Sequence, residues 1–161
     1  GATATTFAPE LTMNRAMLVT VLWSLAGKPA PKGVNTFSDV PNGEWYTNAV
    51  TWAAENSVVT GVGSGRFDPN GAVTREQAAV ILYKYAQSKG YDVSARADLT
   101  AFPDAGSVSD WAQDALAWAN ATGLIQGAVY GSKTILDPQG SASRAQVAAI
   151  LRSYVEHVVN A

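Results

Sequence analysis

The chain has 161 residues, no cysteine, one histidine, and 11 Lys and Arg against 13 Asp and Glu, for a formal net charge of −2. Without cysteine there is no disulfide or thiolate chemistry, and the near-balanced charge argues against non-specific nucleic-acid binding. No run of 18 apolar residues is present to span a membrane, while 47% hydrophobic content describes a chain that folds around a core.

In chain order, the first helix is expected over 14–26, capped by Asn14, with Leu18, Val21, Leu22 and Leu25 at helical spacing. No basic lead-in precedes its apolar run, so it does not read as a signal peptide. Gly27-Lys28-Pro29-Ala30-Pro31-Lys32-Gly33 stops it. Phe37-Ser38-Asp39-Val40 then opens a loop leading to Trp45; Ala49, Trp52 and Ala53 place a second helix at 44–57, and Gly61 follows its end. Phe67-Asp68-Pro69 precedes the cap Thr74 of a third helix at 74–87, and a polar connector runs from Gln87 to Thr100. Phe102-Pro103-Asp104-Ala105 leads to Trp111 and a fourth helix at 109–122, marked by Ala115, Trp118 and Ala119. Leu136-Asp137-Pro138 and the cap Ser143 introduce a fifth at 143–159. Short extended pieces are compatible with the Gly-rich turns, but no strand pattern of any length is present.

These elements repeat. Phe7-Ala8-Pro9, Phe67-Asp68-Pro69 and Leu136-Asp137-Pro138 are each followed, eight residues from their first position, by Arg15, Arg75 and Arg144. The apolar positions behind the arginines coincide: Leu18, Ala78 and Val147; Leu22, Leu82 and Leu151; Leu25, Tyr85 and Tyr154. A basic residue at the first helical position is unexpected, because a helix N-terminus carries partial positive charge and free N–H groups. Two readings follow. A fixed guanidinium beside free backbone donors is an anion site, or each arginine pairs with a neighbouring repeat and holds the array together. The spacing of Trp45, Trp52, Trp111 and Trp118 is that of a buried stripe, with a binding platform as the other reading, and Asp39 and Asp104 cap or brace their loops.

Phe37-Ser38-Asp39-Val40, the Trp a turn later, Gly61-Val62-Gly63-Ser64-Gly65-Arg66-Phe67-Asp68-Pro69 and Val73-Thr74-Arg75-Glu76 resemble the S-layer homology (SLH) motif. The third repeat is similar through Phe102-Pro103-Asp104, Trp111, Gly123-Leu124-Ile125-Gln126-Gly127 and Ser143-Arg144-Ala145-Gln146; Thr12-Met13-Asn14-Arg15-Ala16 resembles only the motif's second half. The resemblance implies a mostly α fold of tandem helix-loop-helix repeats in a three-pronged, pseudo-threefold spindle. It divides the chain into 1–30 (the second half of repeat 1), 31–92 and 93–161. It further implies non-covalent anchoring of an exported protein to secondary cell-wall polysaccharide, with an anionic, pyruvylated sugar taken by the motif arginines. Localisation would be extracellular, in the cell wall or S-layer of a bacterium. Arg15, Arg75 and Arg144 are then the principal contacts, Gly63, Ser64 and Gly65 the close backbone, and Glu76, Asp39, Trp45, Asp104 and Trp111 the remaining candidates. The alternative is a protein–protein or self-assembly module in which the arginines are inter-repeat glue.

Two departures bear on this. The fourth position of the motif's Thr-Arg-Ala-Glu core is Met17, Gln77 and Gln146, and the third Gly-rich turn is longer, so Tyr130-Gly131-Ser132-Lys133 can reshape or block its groove. The second repeat's site therefore ranks first. Gly1-Ala2-Thr3-Ala4-Thr5-Thr6 reaches Phe7 without the Trp helix that its repeat should have, so the first helix is expected to lack part of its cover and the chain to be a fragment of a longer protein. An enzyme finds little support, and no cofactor is expected. His157 stands alone, the recurring carboxylates sit at loop and cap positions, and Gly61-Val62-Gly63 begins no dinucleotide fingerprint.

Overall fold

The structure, a computed structural model, describes residues 12–159. The expectations for Gly1–Thr6 and for Phe7-Ala8-Pro9 lie outside them. Five α-helices are present among the described residues: α1 (Arg15–Leu25), α2 (Thr47–Glu55), α3 (Arg75–Ser88), α4 (Gln113–Ala121) and α5 (Arg144–Tyr154). Each falls within a residue or a few of its expected span. The protein is mostly helical, as expected.

The N-terminal differences have local causes. Glu44, Trp45 and Tyr46 form a turn ahead of α2, where the Thr47 hydroxyl donates to Pro41 O and accepts from Glu44 N at 3.0 Å. Ahead of α4, Asp110–Ala112 winds as a tighter 3-10 turn. One feature goes beyond the sequence reading. The long third Gly-rich turn forms an antiparallel hairpin, β1 (Ala128–Tyr130) with β2 (Lys133–Ile135), in the register Ala128↔Ile135 and Val129↔Thr134. Val129, Thr134 and Ile135 are β-branched, and a two-residue Gly131-Ser132 turn suits a tight reversal, so the extra residues have a defined conformation.

The chain divides into two compact units. One spans Met13–Val73; the other contains Thr74 and the residues after it, together with Thr12. In the first, α1 packs on α2, and Leu18, Val19, Leu22, Val50, Val58 and Phe67 are fully buried. Val21 and Leu25, expected in the apolar stripe of α1, are exposed at 39% and 47%. In the second, α3 packs on α4, with Leu82, Leu116, Trp118, Ile125, Leu136 and Tyr154 buried. Tyr154 lies in an aromatic cluster, 5.8 Å from the Tyr85 ring and 6.3 Å from Tyr91, and burial pushes its phenol well above the usual range. At the same register position as Leu25, Tyr85 and Tyr154 are both core.

Candidate functional site

The same clasp is built once in each unit. In the first, the Asp39 carboxylate accepts from Phe67 N and Asp68 N, both at 2.8 Å, while Arg15 Nε donates to Phe67 O at 2.8 Å. In the second, Asp104 accepts from Leu136 N at 2.9 Å and Asp137 N at 2.8 Å, while Arg75 Nε donates to Leu136 O at 2.9 Å. A buried backbone segment must have its polar groups paired, and here two side chains from elsewhere in the chain do so. Asp39 and Asp104 thus brace their loops. Asp68 and Asp137 have φ of 62° and 49°, a left-handed conformation that aspartate tolerates better than most residues. The chain turns back so tightly that a Cβ on Gly71 or Gly140 would collide with the carboxylate of Asp68 or Asp137.

This Asp-Pro-x-Gly turn corrects the expectation of free donors at the helix ends. Gly71 O accepts from Arg15 N and Pro69 O from Ala16 N, both at 3.0 Å; Gly140 O accepts from Arg75 N at 2.9 Å and Pro138 O from Glu76 N at 3.0 Å. The next donors, Met17 N and Gln77 N, go to the caps Asn14 and Thr74. The first-turn N–H groups of α1 and α3 are all occupied within the protein, so any anion must be held by the side chains.

The fourth motif position is explained in the same way. Gln77 and Gln146 complete capping boxes with Thr74 and Ser143, which Met17 cannot do for Asn14. Glu76 is buried, and its carboxylate accepts from Ser109 Oγ at 2.7 Å, Ser109 N at 3.0 Å and Gln139 Nε2 at 3.2 Å. It ties the start of α3 to the turn ahead of α4 and is not among the residues lining the cleft described below.

The arginines differ in their surroundings. Arg15 lies over the Phe67 ring, 4.8 Å from its centroid, and its burial lowers the guanidinium pKa against the opposing pull of Asp68 and Asp39. Arg75 lines a cleft of about 620 Å³ with the Gly123–Val129 turn and one face of α5, which carries Gln146, Ile150 and Ser153. The first strand of the hairpin, through Ala128 and Val129, forms part of the wall, so the long turn shapes this cleft. Beyond the bond to Leu136, the Arg75 guanidinium has no hydrogen-bond partner among the described residues. Arg144 heads α5 in the corresponding position, behind the Ser143 cap.

The structure thus brings Arg75 together with the third Gly-rich turn. Gly63, Ser64 and Gly65 lie in the Met13–Val73 unit, where Gly65 O accepts from Ser38 N at 2.9 Å. The tryptophans divide. Trp52 and Trp118 are buried, at 7% and 0% exposure, but Trp45 and Trp111 are each 59% exposed, which corrects the buried-stripe reading for these two. They precede the first α-helical residues, so the phase of the helix does not extend to them.

Asp39 carries a pH signature. Burial alone would raise its pKa, but the N–H groups of Phe67 and Asp68, its own amide and the nearby Arg66 outweigh that and hold it below the usual carboxylate value. A lowered native pKa contributes stability above the ordinary value of about 4, which is lost as pH falls through the native value. Thermal unfolding should therefore be insensitive to Asp39 from neutral pH to about pH 5 and should fall off in stronger acid. In Asp39→Ala the melting point should be lower throughout and its acid decline shallower; an unchanged acid decline would remove Asp39 from this role.

Residues 36–79 and 101–148 match the S-layer homology domain. The chain is 33% identical over 152 residues to a surface-layer 125 kDa protein of Lysinibacillus sphaericus, covering 94% of this chain and 12% of that protein. It is 32% identical over 157 residues to the exoglucanase XynX of Acetivibrio thermocellus, covering 97% of this chain and 14% of the relative. With a cellulosome-anchoring protein of the same species the identity is 28% over 154 residues, covering 93% of this chain and 33% of the relative. The chain thus spans a third or less of the length of these relatives. The matched segments make up more than half of the chain and contain both aspartate-braced turns and Arg75, and the chain belongs to the S-layer homology domain family.

Proposed function

We propose that this chain anchors an exported protein non-covalently at the bacterial surface, and that it does so by taking an anionic group of a secondary cell-wall polysaccharide, such as a pyruvate ketal, into the Arg75 cleft. Surface attachment accords with the family and with relatives named as surface-layer and cellulosome-anchoring proteins. The observation that carries the ligand reading is the state of Arg75. Its Nε is fixed on Leu136 O, which orients the guanidinium plane, and Arg75 is the one ionic side chain among the described residues lining the cleft. A pre-oriented guanidinium loses little freedom on meeting a carboxylate, which it can bind through paired hydrogen bonds.

Arg15 and Arg144 are proposed for corresponding sites, with Gly63–Gly65, Trp45 and Trp111 as further contacts to sugar, and 1–30, 31–92 and 93–161 as the repeats. Modest affinity at each site would be strengthened where several engage one polymer. The second reading, in which the arginines are inter-repeat glue, draws support from the Nε–carbonyl bonds, which tie the start of a helix to a turn more than fifty residues downstream in the same chain. The two roles use different guanidinium atoms and are compatible.

The first test is co-sedimentation with purified Gram-positive sacculi, intact or stripped of their secondary polymers. Binding lost on stripping supports the proposal. Equal binding to both, or binding to neither by the folded chain, would overturn it.

A further inference from the structure

The tripeptide Pro-Asn-Gly occurs twice, as Pro41-Asn42-Gly43 and Pro69-Asn70-Gly71, and the fold holds the two copies in opposite ways. An asparagine before a glycine can react with its own backbone. The glycine N–H gives up its proton to base, and the nitrogen attacks the carbon of the side-chain amide. A five-membered succinimide closes, and the amide nitrogen leaves as ammonia, taking a proton back. Water then opens the ring at one carbonyl or the other, leaving aspartate or isoaspartate in place of asparagine. Glycine favours the attack because it has no Cβ to crowd the nitrogen and its backbone turns easily. In a folded chain the rate depends on whether that N–H is unengaged and whether the peptide can move.

Both conditions hold at the first copy. Asn42 and Gly43 are exposed in the turn ahead of α2, and Gly43 has φ of 86°. Its N–H has no hydrogen-bond partner among the described residues, and nothing lies within 4 Å of the place a Cβ would take. The neighbours on either side are anchored instead: the Thr47 hydroxyl donates to Pro41 O at 2.6 Å and accepts from Glu44 N at 3.0 Å. The reactive pair is therefore the unheld span between two fixed ends. At the second copy Asn70 is exposed as well, but Gly71 belongs to the clasp. Its N–H donates to Asp68 O at 3.1 Å, and its carbonyl accepts from Arg15 N at 3.0 Å. The Asp68 carboxylate occupies the space beside its Cα, so the nitrogen cannot reach the Asn70 side chain without opening the turn. In the other clasp the matching residue is Gln139, and a glutamine closes its larger ring far more slowly.

We infer that Asn42 is a site of spontaneous deamidation in the folded protein, and that the clasp protects Asn70 from the same reaction. Each conversion puts a carboxylate beside Glu44, adding one negative charge to a chain whose formal charge is −2. The isoaspartate product also lengthens the main chain between the two ends that Thr47 holds.

The test is to incubate the full chain in mildly alkaline buffer, native or in urea, and to follow the amide-to-acid mass change by peptide mapping. Trypsin cuts after Lys32, Arg66 and Arg75, so Asn42 and Asn70 fall in separate peptides, 33–66 and 67–75. Fragmentation distinguishes Asn42 from Asn35, Asn48 and Asn56 in the first. In the native chain Asn42 should convert at least about tenfold faster than Asn70, because the hydrogen bonds holding Gly71 must open first. In urea the two rates should come within about threefold of each other, since the tripeptides are identical and neither is held. Equal rates in the native chain, or no conversion at Asn42, would overturn the inference. A tenfold gap that persists in urea would do the same, because the flanking sequence and not the fold would then set the rates.

Discussion

Replacing Arg75 by alanine is expected to abolish measurable wall-polymer binding, by a factor of at least about 100, and to destabilise the protein by about 2 kcal/mol. The first figure is the loss of a charge-assisted, two-point contact to a carboxylate. The second arises because Leu136 is fully buried, and its carbonyl oxygen loses the Arg75 Nε donor. Arg75→Lys separates the two. A lysine carries charge and a donor but no fork, so an ammonium that satisfies Leu136 O cannot also meet the ligand through paired hydrogen bonds. Lysine should recover most of the stability while binding stays about tenfold or more below that of the unaltered chain. The measurements are thermal melts beside titration with the pyruvylated oligosaccharide. If alanine lowers the melting temperature while leaving affinity intact, the arginine is inter-repeat glue alone.

The largest stability effect is expected at Phe67. Its side chain is fully buried, its ring centroid lies 5.5 Å from that of Phe37, and the Arg15 guanidinium lies over the ring, 4.8 Å from its centroid. Phe67→Ala should cost about 4 kcal/mol through lost burial and the cavity left behind, with the cation–π contact adding to it. Against a total stability of about 5–15 kcal/mol, that is enough to populate unfolded forms of the Met13–Val73 unit in mild denaturant. Urea unfolding, followed through the near-ultraviolet signal of buried Trp52 and its neighbours, is the direct measurement. A change below about 1 kcal/mol would mean that the surroundings collapse into the space, and that Asp39 and Arg15 hold the loop without the ring.

Much of this was legible from the chain, and the failures share a cause. The helices and the caps Asn14, Thr74 and Ser143 follow from local periodicity and turn chemistry. Trp45 and Trp111 were misread because they stand in turns ahead of Thr47 and Gln113, where a 3.6-residue period has no meaning. The helix-end donors were misread because their acceptors, Pro69, Gly71, Pro138 and Gly140, lie more than fifty residues away along the chain. The bracing role of Asp39 and Asp104 was legible from their recurrence in the loops, but not the partners, since the N–H groups each carboxylate accepts lie some thirty residues downstream. Gln77 and Gln146 were within reach. Thr-x-x-Gln and Ser-x-x-Gln ahead of an apolar stripe are capping boxes, and reading them only as departures from a glutamate motif obscured this.

The direction of the clasp has a consequence for how such chains can grow. At each clasp, the helix earlier in the chain supplies the arginine and its first amides, while a segment later in the chain supplies the aspartate-braced turn that receives them. The joint is heterologous: each copy carries a donor end and an acceptor end, unlike one another and complementary to the next. A duplicated segment therefore arrives already equipped to dock on its parent and to be docked upon. Its other positions are then free to drift while the joints between copies stay the same.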